Sequence, residues 1–132
     1  MIGLDTNVIV RYLVHDDPRQ TAVARKLFSS LSTTDHGFVS IVVVLELTRV
    51  VESVYNFTKD ELIEMIELLL RSRELILEQR EVVAQALRVF NGSRADFEHC
   101  LIERCCHASD CRYTVTFDRR AAAVGMRVLE SR

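Results

Sequence analysis

Acidic side chains recur in this sequence where predicted strands end and helices begin. Asp5 closes the first predicted strand and Asp118 closes the fourth, while Glu46 lies just beyond the second strand and Asp96 stands at the start of a helix. In a parallel sheet, strand ends and the helix starts that follow them share one edge, which is where ligands and metals bind. We therefore expect these four carboxylates to converge.

A cluster of carboxylates repels itself and requires hard cations to be stable. Oxygen ligands of this kind suit Mg²⁺ or Mn²⁺, and such ions can activate water and stabilise charge on a phosphodiester. Glu46 supports this expectation because it interrupts the apolar run 42–47, where a buried carboxylate without a partner would be costly. A bound cation would remove that cost, and so would a partner such as Arg11 or Arg49.

A structural explanation exists for each of these acids taken singly. Asp5 and Asp118 are both suited to be helix N-caps, because the aspartate side chain accepts hydrogen bonds from the first backbone N–H groups of a helix. Asp96 ends the segment 93–96, which resembles a capping box with Asp in place of Glu. The metal interpretation therefore depends on several acids arriving at the same place.

Hydrophobic periodicity and capping signals predict strands that alternate with helices. The predicted strands are 1–4, 38–41, 74–77, 112–117 and 126–129, and the predicted helices are 8–14, 18–31, 42–55, 59–70, 81–90, 96–108 and 121–124. This alternation is typical of an α/β fold. We expect a single domain, residues 1–132, with a parallel sheet of about four to five strands and helices on both faces.

Composition limits the classes of protein that remain. The chain has 132 residues, of which 48% are hydrophobic, and its net charge is −2. The longest uncharged apolar run is 38–45, far short of the roughly 20 residues that cross a bilayer. Because the sequence opens on strand-like residues, we expect no signal peptide. We expect a cytoplasmic protein without membrane contact. Fifteen of its seventeen cations are Arg, which suits phosphate recognition but also follows from GC-rich coding.

The four cysteines fall within twelve residues, with one histidine directly before this span and another inside it. They are Cys100, Cys105, Cys106 and Cys111. No C-x-x-C pair exists, although structural zinc sites normally use spaced pairs. The segment is also mostly helical by prediction, and there cysteine commonly acts as a small buried hydrophobe. We therefore expect no structural zinc.

Four short motifs together resemble the PIN-domain family, and within it the VapC-like toxins of bacterial toxin–antitoxin pairs. The motifs are Leu4-Asp5-Thr6-Asn7-Val8, Ser40 with Glu46 six residues later, Ala95-Asp96-Phe97, and Thr116-Phe117-Asp118-Arg119. Each is weak alone, but their order and spacing are specific. The resemblance implies a Mg²⁺- or Mn²⁺-dependent endoribonuclease, frequent homodimers, and a small antitoxin that inserts into the active-site groove.

The resemblance also assigns roles to individual residues. It implies that Asp5, Glu46 and Asp118 are acidic metal-site residues and that Thr6, Asn7 and Thr116 are polar supports. With the neighbouring helix face and the nearby arginines included, we expect the following set. The catalytic residues are Asp5, Glu46, Asp96 and Asp118; the metal ligands are Asp5, Asp96 and Asp118, with His99 as a candidate; the supporting residues are Thr6, Asn7, Ser40, His99, Glu103 and Thr116; and the substrate-binding residues are Arg11 and Arg119.

One position departs from the family pattern. Family members typically carry a second Asp three residues after the first, in Ala-Asp-Phe-x-Asp, and this chain has His99 there. Three outcomes are open. In the first, Asp96, which is one helical turn away on the same face, supplies the missing carboxylate. In the second, His99 itself binds the metal, which favours Mn²⁺ or another imidazole-tolerant ion. In the third, the metal site is weakened. Glu103 also shares this face and could hold the imidazole.

Two other functional classes remain as alternatives. The first is a binding module, a PIN fold that holds RNA or the antitoxin without efficient turnover because His99 replaces an acid. The second is phosphoryl transfer through an aspartyl intermediate on Asp5. Enzymes of that second kind rely on a late Lys to neutralise the phosphate, and no Lys follows Lys59 in this chain.

Overall fold

The computed structural model describes residues 1–130, so the last two residues of the predicted domain 1–132 lie outside the described part. The chain divides into two compact units, of which the first is Met1–Glu78 and the second begins at Gln79. No helix within residues 1–130 is long and apolar enough to span a membrane.

The first unit contains four helices and a three-stranded parallel sheet. Its elements are β1 (Ile2–Gly3), α1 (Thr6–Leu13), α2 (Pro18–Ser30), β2 (Gly37–Val39), α3 (Ile41–Ser53), α4 (Lys59–Arg71) and β3 (Leu75–Leu77). The strand order is β1-β2-β3, with β2 in the centre. The central strand pairs along its whole length with β3, from Gly37 opposite Leu75 to Val39 opposite Leu77.

Capping residues set the helix starts of this unit. Thr58 and Glu61 form the predicted capping box at the start of α4, and Asp17 caps α2 directly before Pro18. Helix α3 begins at Ile41 because Ser40 accepts a hydrogen bond from the backbone N–H of Val43. A helical prediction for the valine-rich segment is therefore confirmed.

The second unit places two helices before a two-stranded parallel sheet. Its elements are α5 (Arg80–Asn91), α6 (Phe97–Ala108), β4 (Val115–Thr116), a 3₁₀ helix (Arg119–Val124) and β5 (Arg127–Val128). Helices α5 and α6 pack against each other in this unit. The rings of Phe90 and Phe97 contribute an edge-to-face contact, with their centroids 5.7 Å apart.

The α/β class is confirmed, but the predicted single sheet of four to five strands is wrong for the described residues. They form a three-stranded sheet and a separate two-stranded sheet, both parallel. The strands are short because a capping residue turns the chain into a helix almost at once. Asp5 follows β1 after one intervening residue, and Asp118 likewise follows β4. Helices on both faces of one sheet stay a prediction.

Gly37 leaves no room for a side chain at the start of the central strand. A Cβ at this position would lie 2.8 Å from a methyl carbon of Leu4, 2.9 Å from one of Leu31 and 3.0 Å from one of Leu75. All three leucines are buried, so they have little space to move. We expect Gly37→Ala to lower the free energy of unfolding by about 1–3 kcal/mol through overpacking, measured by urea denaturation.

Gly3 provides the matched control, because a Cβ there would meet nothing within 4 Å. Gly3→Ala should leave the unfolding free energy unchanged or slightly higher. Equal stability of the two variants would contradict the close packing around Gly37.

Candidate active site

Helix α6 begins with an aspartate that binds both the backbone and the ring of the same histidine. Asp96 is the N-cap, and its Oδ1 accepts a hydrogen bond from the backbone N–H of His99 at 2.9 Å. The same oxygen lies 2.8 Å from Nδ1 of the His99 ring. Because a carboxylate can only accept, this contact places the ring proton on Nδ1. In the neutral ring, Nε2 then carries the lone pair.

Asp118 is held at the end of β4 by its neighbours in the chain. Its backbone N–H donates to Oγ1 of Thr116 at 3.0 Å, so the predicted supporting residue Thr116 does contact it. The Asp118 side chain caps the 3₁₀ helix, because Oδ1 accepts from the backbone N–H of Arg120 at 2.9 Å. Its orientation therefore follows from local backbone geometry.

Arg120 also pairs with Asp118 through its side chain. Its Nε donates to Oδ1 at 3.3 Å and its Nη2 donates to Oδ2 at 3.2 Å. These side-chain bonds hold the pKa of the Asp118 carboxyl below its usual value. The Arg120 backbone N–H and the nearby His99 ring also lower this pKa, while partial burial raises it. Arg120 was not among the predicted site residues, although a cation two residues after a capping aspartate is a signal that the sequence contains.

Asp96, His99 and Asp118 come together in the folded chain. Each offers one ligand atom, and these three atoms all lie within 4.8 Å of one another. The Nε2 atom of His99 is 3.9 Å from Oδ2 of Asp118. The side chains of Asp96 and Asp118 retain 45% and 27% of their exposure, so the group is open to solvent. Within residues 1–130 this group could hold a metal ion.

The donor set of this group fits a divalent cation. Two carboxylate oxygens suit Mg²⁺ or Mn²⁺, and the imidazole nitrogen is a better ligand for the softer of these two ions. A histidine that ligates through Nε2 while its Nδ1–H donates to a carboxylate is also the common arrangement in metal sites. His99 satisfies that condition through Asp96.

The predicted site residues near the start of the chain lie in the first unit. Asp5 caps α1 by accepting from the backbone N–H of Thr6 at 2.7 Å, and its own side chain is exposed. Thr6 is buried, and its Oγ1 has no hydrogen-bond partner among the described residues. Asn7 is exposed on the first turn of α1. Ser40 caps α3.

Glu46 is exposed. The expectation that Glu46 is buried and therefore requires a cation is wrong. Helix α3 buries the face formed by Val44, Leu47, Thr48 and Val51. Glu46 stands two residues after Val44 and therefore points to another side of the helix, where even Val42 is exposed. The apolar run that surrounds Glu46 in the sequence does not enclose it in space.

Other expected supporting and substrate-binding residues have different partners. Glu103 accepts both hydrogen bonds of the Arg104 guanidinium, at 2.6 and 3.0 Å, whereas the ring nitrogens of His99 face Asp96 and Asp118. Arg11 donates to Gln20 and to the Tyr55 hydroxyl. Arg119 is exposed.

Glu78 is a carboxylate at a strand end that was not among the predicted site residues. It follows β3 directly, and its Oε1 accepts a hydrogen bond from the backbone N–H of Ile41 at 2.9 Å. Glu78 thereby supports the start of α3 beside Ser40. The signal in the sequence is the one that identifies Asp5 and Asp118, namely an acid that follows a predicted strand.

Comparisons with known proteins identify the family of this chain. A model of the PIN domain family matches residues 2–126, and the chain therefore belongs to the PIN-domain family. The chain is similar to a VapC ribonuclease from Aquifex aeolicus (strain VF5), with 22% identity over 127 residues that cover 96% of this chain and 93% of the relative. The predicted resemblance is confirmed. These matches support the nuclease class over the binding-module alternative.

Replacing Arg120 tests the electrostatics of the cluster. In Arg120→Gln the pKa of Asp118 should rise towards the ordinary value of an aspartate, because the guanidinium no longer favours the carboxylate. When the pKa of a carboxyl is lower in the folded state than in the unfolded state, the group stabilises the fold at pH values above its unfolded-state pKa. This stabilisation is lost as the pH falls through the folded-state pKa. Stability should therefore depend less on pH below about 4 in the variant. NMR titration of the side-chain carboxyl carbons measures the shift.

Arg119→Gln is the matched control, because Arg119 is the adjacent exposed arginine. It should leave the pKa of Asp118 close to the wild-type value. Equal shifts in both variants would show that the general loss of positive charge, and not the Arg120 pair, is responsible.

Proposed function

We propose that the chain is a divalent-metal-dependent endoribonuclease that hydrolyses RNA phosphodiester bonds. The observation that carries this proposal is the convergence of Asp96, His99 and Asp118 ligand atoms within 4.8 Å in a chain that belongs to the PIN-domain family. The relative named VapC ribonuclease supports RNA as the substrate.

His99 and Asp118 are the residues that we propose to hold Mn²⁺ or Mg²⁺ directly. Asp96 holds the His99 ring through the 2.8 Å contact with Nδ1, and its second oxygen remains available as a further ligand. Thr116 fixes the backbone of Asp118. When bound, the cation would supply Lewis acidity and neutralise charge on the phosphodiester.

Asp5 and Glu46 complete the proposed catalytic acids on the basis of the family resemblance. Both are exposed carboxylates, so they can interact with ions or substrate without first leaving a buried environment. Thr6, Asn7 and Ser40 would support them at the starts of α1 and α3. Arg119, which is exposed next to Asp118, would contact the RNA backbone, while Arg11 is already held by Gln20 and Tyr55.

The biological setting that we propose is a toxin–antitoxin pair. The chain would act in the cytoplasm as one domain, residues 1–132, and as a homodimer, inhibited by a small antitoxin. Similarity to the VapC ribonuclease along 96% of the chain supports this setting.

His99 variants give the sharpest test of the metal site. Wild-type protein should cut RNA about ten-fold faster with Mn²⁺ than with Mg²⁺, and EDTA should abolish cleavage, because the donor set combines imidazole with carboxylates. His99→Asp should raise the Mg²⁺-supported rate, and His99→Ala should weaken Mn²⁺ binding roughly 10–100-fold. A labelled-RNA cleavage assay and calorimetric Mn²⁺ titration measure the two effects separately.

His107→Ala is the control, because His107 is exposed on the last turn of the same helix. It should bind Mn²⁺ as the wild type does. The proposal fails if wild-type protein cuts no RNA with either ion, or if His99→Ala leaves Mn²⁺ affinity unchanged.

Asp5→Asn separates a catalytic role from a structural one. Asparagine caps helices about as well as aspartate, so the hydrogen bond to the Thr6 N–H should survive and the melting temperature without metal should stay equal or rise. Removal of the charge should nevertheless abolish RNA cleavage if Asp5 is catalytic. A large loss of thermal stability, or retained cleavage, would indicate that Asp5 serves only as a cap.

A further inference from the structure

One face of the β4–β5 sheet consists of exposed apolar and cationic side chains. Tyr113, Val115 and Phe117 alternate along β4 and its flanks, with exposures of 42%, 49% and 69%. Arg127 is paired in register with Val115, and Leu129 is 44% exposed. We call these five residues the outer face. The opposite side of the sheet carries half-buried Thr116 and Val128 next to buried Met126.

The outer face holds its cation in a fixed position. The guanidinium carbon of Arg127 lies 3.8 Å from the centroid of the Tyr113 ring, and that of Arg112 lies 5.5 Å from the same centroid. Such cation–π contacts orient the arginine while leaving its N–H donors available. Phe117 differs from Tyr113 in two ways. Phe117 is more exposed than Tyr113, and its ring contacts no other aromatic ring or cation among the described residues.

Charge in this segment opposes the charge of the whole chain. Residues 112–129 contain four arginines and a single acid, Asp118, whereas the net charge of the protein is −2. Aromatic side chains among arginines are the features that bind single-stranded nucleic acid, because bases stack on rings and phosphates pair with cations. A polyanion therefore suits the outer face better than a neutral protein surface does.

We propose that the outer face is a binding site for single-stranded RNA that leads the chain to Asp118. Phe117 stacks on a base, and Arg127 and Arg112 contact phosphates, with Tyr113 holding Arg127 in position. Phe117 directly precedes Asp118 in the chain, so their Cα atoms lie about 3.8 Å apart, and RNA stacked on the outer face passes the end of β4 at which Asp118 stands. This inference rests on the proposed nuclease function and specifies where that function takes its substrate.

Binding of a labelled oligonucleotide tests the outer face without turnover. A fluorescein-labelled single-stranded DNA 12-mer of thymidine, with EDTA present, has the bases and phosphates that this face recognises but is not cut. Phe117→Ala should weaken binding roughly ten-fold through the loss of stacking. Arg127→Gln should reduce the slope of log affinity against log salt by about 0.7, the value for one phosphate contact on a single strand.

Conservative and matched variants control these measurements. Tyr113→Phe keeps the ring and should bind as the wild type does, whereas Tyr113→Ala should resemble Arg127→Gln. Ile102→Ala and Arg88→Gln change an exposed apolar residue on α6 and an exposed arginine on α5, and both should stay within two-fold of wild-type affinity. Because Phe117 is exposed, its variant should keep the wild-type melting temperature.

The outcomes separate this inference from the proposed function. If wild-type protein cuts RNA but Phe117→Ala has an unchanged KM and oligonucleotide affinity, the RNA face is overturned and the nuclease stands. If wild-type protein cuts no RNA but Phe117→Ala still loses oligonucleotide affinity, the face stands and the nuclease fails. Absence of wild-type binding at low salt overturns the face. So does a Phe117→Ala variant that loses only self-association in sedimentation, because the surface is then a protein interface.

Discussion

The start of every helix leaves backbone N–H groups that need acceptors, and four of the acceptors in this protein are predicted residues of the candidate site. Asp5 caps α1, Ser40 caps α3, Asp96 caps α6 and Asp118 caps the 3₁₀ helix. Capping fixes the backbone that carries each carboxylate and uses mainly one of its two oxygens. Helix capping and metal binding are therefore compatible roles for the same side chain, and the first gives the second its geometry.

Much of the secondary structure could be predicted because it depends on local signals. The Thr58–Glu61 capping box and the helical period after Ser40 act within a few residues, and both predictions are confirmed. The pairing of Asp96 with His99 follows from the same local rule, since residues three apart share a helix face. The lengths of the strands and their grouping into two sheets could not be predicted in this way, because strand pairing joins distant segments and ends wherever a cap intervenes.

The sequence neighbours of two acidic side chains did not determine their surroundings in the folded protein. Glu46 was expected to be buried because its sequence neighbours are apolar, but burial on a helix follows a period of 3.6 residues and Glu46 falls outside the buried stripe. Glu103 shares a helix face with His99 and could hold its ring, but the guanidinium of Arg104 is adjacent to Glu103 and donates to both of its oxygens. For long flexible acids, competition between nearby cations decides the partner, and sequence spacing does not reveal the winner.

Substitution of histidine for an acid changes the charge balance of the cluster. A third carboxylate would add repulsion that a cation relieves, whereas an imidazole adds a ligand atom without adding negative charge. Arg120 offsets the charge of Asp118 by pairing with both of its oxygens. A metal must therefore compete with the Arg120 guanidinium for Asp118. The affinity for the ion therefore depends on how easily the exposed Arg120 side chain dissociates from Asp118. A phosphate of the substrate is an anion that can bind the Arg120 guanidinium in place of Asp118.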